Sequence, residues 1–187
     1  MSLAVSRRRF TADDYQRMGQ AGILSKGDHV ELIDGEVVSM TPIGPRHCAS
    51  VDRANRVFVT KAGSTAIVRV QGSVRLDFYT EPEPDLVLLR PRDDFYSSAH
   101  PGPADILLII EVADSSIDYD RDVKAVIYAQ SRVPEYWLVD LNANLLFCYS
   151  LPEGSVYTSV RQCRRGQSLA PQLLPECVIP TDDLLIE

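Results

Sequence analysis

Apolar and polar positions along the chain predict an ordered series of elements. Thr11–Gln20 carries a helix signature, with Thr11 a good N-cap and Asp13 and Asp14 suited to the positive end of the helix dipole. Val30–Met40 reads as a tight hairpin in which Asp34-Gly35 supplies two turn positions that need positive φ. His47–Lys61 sets Val51, Ala54, Val57 and Phe58 at helical spacing. Val68, Val70, Val74 and Leu76 alternate with Arg69, Gln71, Ser73 and Arg75, which predicts a strand with one polar face. Asp85–Leu89 and Ile106–Val112 are continuous apolar runs, the pattern of buried central strands. Tyr119–Gln130 repeats Val123, Val126, Ile127 and Gln130 at helical spacing. Trp137–Asp140 predicts another strand, Leu145–Tyr149 and Ser155–Val160 a hairpin over Pro-Glu-Gly, and Pro171–Glu187 an irregular wrap-around ending. Strand, strand, helix, strand in this order is an α/β arrangement on a mixed sheet flanked by helices.

Composition narrows the classes. With 187 residues, 45% hydrophobic and 24% charged, the chain is expected to form one domain over residues 1–187, with 1–9 flexible. A chain of this size buries roughly 70% of its unfolded surface and needs neither disulfides nor a structural metal. The longest apolar run, Ile106–Ile110, falls far short of the ~20 residues of a membrane span, so no membrane partner is expected. The basic start, ending in Arg7-Arg8-Arg9, is followed by no apolar segment, so no secretory signal is expected there. Cys48, Cys148, Cys163 and Cys177 show no C-x-x-C spacing and the three histidines are scattered. These features argue against zinc and for free thiols in a cytoplasm. A formal charge of −7 argues against coating nucleic acid by charge alone, yet permits an acidic pocket that carries its own cation.

Two carboxylates stand where carboxylates are expensive: Asp85 opens one buried strand and Glu111 closes another. If these strands pair antiparallel across Arg90–Asp105, residue 85 falls opposite 110 or 111. Opposed side chains share a face with Cβ atoms ~5 Å apart. Like charges at that distance need a shifted pKa or a cation between them. Mg²⁺, or Mn²⁺ in its stead, is such a hard divalent ion. Lys124, one of only three lysines, follows Asp120 by one helical turn, and its ammonium could serve the same centre. The plainer readings are a backbone-satisfied strand carboxylate for Asp85 and an exposed i,i+4 partner of Asp120 for Lys124, worth ~0.3 kcal/mol. Gln71 on a polar strand face, His47 at a helix start, and Asp120 and Tyr128 near the lysine are further candidates to line the site.

Pro84-Asp85, Glu111-Val112-Ala113 and a following lysine resemble the PD-(D/E)XK nuclease superfamily. The chain is most similar to one bacterial branch, the Uma-two family of restriction-endonuclease-like proteins. Its landmarks stand as Glu31-Leu-Ile-Asp-Gly-Glu36, Gly44-Pro-Arg-His47, Pro84-Asp85-Leu-Val, Glu111-Val, Ser115-Ser116, Asp120-x-x-x-Lys124, Tyr128-Ala129 and Val133-Pro-Glu-Tyr-Trp137-Leu-Val-Asp140. The last block is the most specific; about one Pro-Asp pair is expected by chance in a chain of this composition. The resemblance covers about residues 10–187 and implies a restriction-endonuclease-like core. It also implies metal ligation by Asp85 and Glu111, with Lys124 as catalytic lysine. Glu36 is either a hairpin residue on the solvent side or an additional carboxylate reaching the metal, and the Val112 carbonyl is a further candidate ligand. The wider superfamily carries its lysine two residues after the glutamate, where this chain has Ala113, so here the amine would enter from the next helix. The expected function is Mg²⁺-dependent phosphodiester hydrolysis, with DNA as substrate and a homodimer as the working form. A catalytically silent binding module on the same scaffold and a hydrolase of smaller phosphate esters are the rivals.

Overall fold

The computed structural model describes residues 7–25 and 27–185. Helix α1, Ala12–Gln20, begins where the sequence indicates: Thr11 Oγ1 accepts from the Asp14 N–H at 3.0 Å while the Thr11 N–H donates to Asp14 Oδ2 at 3.0 Å. Strands β1 (Val30–Ile33) and β2 (Glu36–Ser39) form the hairpin, with Asp34 and Gly35 at φ 49° and 79°. Chain from the N-terminal side crosses this turn, and a Cβ on Gly35 would stand 2.5 Å from Arg9 Cβ. Gly35→Ala therefore combines a left-handed backbone with a clash, and we expect urea denaturation to show a loss of about 1–2 kcal/mol. Residues 1–6 of the segment expected to be flexible lie outside the described residues, whereas Arg9 is held by Asp34 O at 2.8 Å and lies 4.1 Å over the Tyr79 ring.

After α2 (Pro45–Ala62), six strands make one sheet: β3 (Ile67–Val70), β4 (Leu86–Leu89), β5 (Ile106–Ala113), β6 (Glu135–Asp140), β7 (Leu145–Glu153) and β8 (Val156–Cys163), hydrogen-bonded in that order. All neighbours are antiparallel except β5 and β6. That parallel pair is joined by a crossover of α3 (Ile117–Tyr119), a π-helical stretch (Asp120–Lys124) and α4 (Ala125–Gln130). One face of the sheet packs Leu86, Leu88, Ile110, Val112 and Trp137 against Val51, Ala54 and Phe58 of α2 and against Ile179, Leu184 and Leu185 of the tail. The other face packs Val87, Ile109, Tyr136 and Leu138 against Tyr128 and Ala129 of α4. This is the expected α/β architecture, a mixed sheet with helices on both sides.

The β4–β5 register is the one expected, with Leu86 opposite Ile110, which continues to Asp85 opposite Glu111. The tail does wrap around, and residues 168–169 and 179–180 form short strands β9 and β10. Two expectations are corrected. The strand anticipated over 68–76 ends at Val70, because Gln71 adopts φ 46° and the chain turns at Gly72; Val74 and Leu76 are buried outside any strand. In the 119–130 helix, Val123 is 36% exposed, and the inward stripe is Asp120, Lys124, Ala125, Tyr128 and Ala129. The π-helical turn changes the angular spacing and brings polar side chains inward. The four cysteines are free thiols, and among the described residues no helix is long and apolar enough to cross a membrane.

Candidate active site

The site forms where β4 begins and β5 ends. The Asp85 N–H donates to Glu111 Oε2 at 3.2 Å, and Asp85 Oδ2 accepts from the Val112 N–H at 2.9 Å. The two carboxylates are thus tied by the backbone of each other's strand, as their opposed register requires. His47, in the first turn of α2, sets Nε2 2.9 Å from Asp85 Oδ2, and its buried Nδ1 has no partner among the described residues. Burial lowers the His47 pKa, but the hydrogen bond and charge of Asp85 outweigh it and the net shift is upward.

Lys124 reaches in from the π-helical turn. Its Nζ donates to Glu111 Oε1 at 3.0 Å and lies 3.4 Å from Glu31 Oε2 and 3.9 Å from Asp120 Oδ1. Tyr128 Oη donates to the same Glu111 oxygen at 2.6 Å, and Ser116 Oγ donates to Asp120 at 2.5 Å. Ala113 on the Glu111 face is fully buried and takes up little room. Burial pushes the Glu111 carboxyl up to about 8; the Lys124 charge opposes this, and the charges of Asp85 and Asp120 add to it. Burial alone would lower Lys124, yet the facing charges of Glu111, Glu31 and Asp120 raise it, so the amine stays charged.

Asp85, Glu111, Lys124, His47, Asp120 and Val112 all line one cavity of about 340 Å³, and Tyr128 touches it through Glu111. Two expected residues stand elsewhere. Glu36 is at the turn end of its hairpin, with a side chain 64% exposed and 3.4 Å from Arg7. Gln71 is exposed, and it is its backbone N–H that bonds to Asp85 O at 3.1 Å. The carboxylate that enters from the hairpin is Glu31, 1% exposed and held also by the Glu83 N–H and Tyr119 Oη, each at 3.4 Å. Its signal was present in the sequence as an acid within the apolar run Val30–Ile33, the same signal that marks Glu111. The remaining walls come from residues 38–44, Glu83 and residues 114–116, where Asp114 adds a further carboxylate.

Among the described residues, no group of three or more His, Cys, Asp or Glu side chains is arranged to hold a metal by itself. A small hard cation does not require one, because Mg²⁺ is commonly bound by one or two carboxylates with water and phosphate oxygens completing the shell. Asp85 and Glu111 supply such oxygens beside the backbone of Val112, and the cavity's six carboxylates face only one lysine and one histidine. The donor set and the local acidic excess fit a divalent cation.

The Uma2 family model, described as "Putative restriction endonuclease", matches residues 12–182. Among solved structures, a chain from Anabaena variabilis titled a putative nuclease belonging to DUF820 is similar at a TM-score of 0.73 and 15% identity, over 94% of this chain and 97% of that one. That likeness concerns the fold. No curated protein matches the chain. With nine-tenths of its length matched, from α1 to the tail, the chain belongs to the Uma2 family.

Proposed function

We propose that the chain is a divalent-cation-dependent endonuclease that hydrolyses phosphodiester bonds in DNA. The observation that carries the reading is the convergence of Asp85, Glu111 and Lys124, whose contacts run from 3.0 to 3.2 Å through Glu111. Membership of a restriction-endonuclease-type family supports the nuclease class. Asp85 and Glu111, with the Val112 carbonyl, would hold Mg²⁺ or Mn²⁺. When bound, such an ion supplies Lewis-acid polarisation of the phosphodiester and a water of lowered pKa. Lys124 offers a permanent positive charge to the phosphate oxygens that gain charge during displacement. Glu31 and Asp120 hold that ammonium from two further sides, and Tyr128 fixes the Glu111 carboxylate from below. A homodimer, presenting one such site to each strand of a duplex, belongs to the same proposal and is checked by sedimentation.

The test is incubation with supercoiled plasmid in Mg²⁺, Mn²⁺ or EDTA, beside nucleotides and small phosphate diesters. We expect nicking that needs the divalent ion, is lost in Asp85→Ala and is retained in Glu36→Gln, since Glu36 stands outside the cavity. Turnover of the small esters alone would move the assignment to that class. Equal plasmid cleavage by wild type and Asp85→Ala would remove the site from the reaction.

A further inference from the structure

Phe95 and Tyr96 have φ of 51° and 59°, a left-handed backbone that bulky side chains avoid. Tyr96 is compensated, being buried, with its Oη donating to Arg90 O at 2.8 Å and its N–H to Asp94 Oδ1 at 3.2 Å. Phe95 is not. Its side chain belongs to a residue 68% exposed and stacks on no other ring among the described residues. Only its backbone is anchored, by the N–H donating to Arg92 O at 3.0 Å and the carbonyl accepting from Arg69 at 3.1 Å. An apolar ring held out in solvent at a strained position points to a binding role.

Arg69, which holds that carbonyl, is itself positioned. Its stem crosses Gly72 so closely that a Cβ there would meet Arg69 Cδ at 2.6 Å, and its guanidinium lies 5.7 Å from the Tyr96 ring. Arg92 is paired with Asp94, whereas among the described residues no carboxylate pairs with Arg69. Arg69 stands opposite Val87, which stands opposite Ile109, so it shares the sheet face of Asp85 and Glu111. Sheet spacings put its Cα about 8 Å from that of Asp85, one strand across and two residues along. That separation lies within reach of a neighbouring nucleotide of the same strand.

We propose that Arg69 and the segment 92–96 grip the DNA strand that enters the site, Arg69 taking a backbone phosphate and Phe95 stacking on a base. This rests on the nuclease reading and extends it to how the strand is held. The base face must be accessible, so the probe is a labelled single-stranded DNA oligonucleotide, followed by fluorescence anisotropy in Ca²⁺ across a salt series. Arg69→Gln is expected to weaken binding about three- to tenfold at low salt and to flatten the log K against log salt slope by about 0.7, one phosphate's share. Gly72→Ala displaces the Arg69 stem and should weaken binding in the same direction. Phe95→Gly relieves the backbone, so its Tm should hold or rise, while affinity falls at least about fivefold. Arg56→Gln, exposed on α2 across the sheet, should leave both quantities unchanged. Binding with an unaltered slope in Arg69→Gln, or unaltered affinity in Phe95→Gly, overturns this inference and leaves the nuclease reading standing. Wild-type protein that neither binds this oligonucleotide nor cleaves the plasmid overturns both.

Discussion

Asp85→Asn is expected to lower divalent-dependent plasmid cleavage by about 10²–10³-fold, the range seen when one preorganised electrostatic group is removed from a site. Asparagine keeps the size of the side chain, and its Oδ1 can still accept the Val112 N–H that Asp85 now receives at 2.9 Å. What it loses is the charge a hard cation needs. The fold should therefore persist, and the metal-free protein should melt no earlier than wild type, because one charge leaves a cavity in which six carboxylates face a single lysine and a single histidine. The diagnostic companion is the ligand-linked shift in Tm. Mn²⁺ should raise the Tm of wild type according to its affinity and should not raise that of Asp85→Asn. Because both carboxylates serve one ion, Asp85→Asn combined with Glu111→Gln should be no slower than the worse single variant. Additive losses would mean that the two side chains act on separate events.

The parts of this architecture that were legible in sequence are those where one force dominates. Continuous apolar runs at 86–89 and 106–112 have a single solution, burial on both faces, and the connection between them sets a register that brings residue 85 opposite 111. Asp34-Gly35 was legible because backbone sterics leave few residues for two positive φ values in a row. Gln71-Gly72 carries related turn chemistry, but the alternation of Val68, Val70, Val74 and Leu76 outweighs it when the chain is read for period alone. The hairpin carboxylates illustrate a subtler limit. Glu31 pairs with Val38 and Glu36 with Ile33, so both acids share one face of the hairpin. They differ by one pleat, about 7 Å along the strand, which leaves Glu36 at the turn with Arg7 and carries Glu31 to Lys124. Sequence patterning specifies the face; the depth at which the hairpin docks is a tertiary property. The crossover helix fails for the opposite reason. Its apolar positions repeat at helical spacing, yet Lys124 is 6% exposed because the carboxylates of Glu111 and Glu31 favour its charge over a methyl group, and Asp120, 4% exposed, goes in beside that ammonium at 3.9 Å.

That same exchange of packing for charge makes Lys124→Met the most destabilising substitution expected in the site, on the order of 3–5 kcal/mol at pH 8 or above. Methionine fills the space but leaves Glu111, Glu31 and Asp120 buried around no cation. The sign of the pH dependence follows from the direction in which Glu111 is shifted. Its carboxyl is pushed up from 4.5 to about 8 in the folded protein, so its contribution to stability is present below about 4.5 and is lost as pH rises through 8. Lys124 limits that loss, since its charge pulls the Glu111 value down against the larger effect of burial. Removing the amine lets Glu111 and Asp120 move further up, and the cost of ionising them grows with every pH unit gained. Urea denaturation of metal-free protein should therefore show a gap between wild type and Lys124→Met that is small near pH 5 and widens toward pH 9. Lys124→Arg should restore part of the stability, because it keeps the charge, while cleavage stays low, because a planar guanidinium spreads that charge and does not reproduce the compact ammonium that stands 3.0 Å from Glu111. A gap that stays constant across this range would mean that Lys124 acts by packing alone, and the carboxylates around it would need another source of compensation.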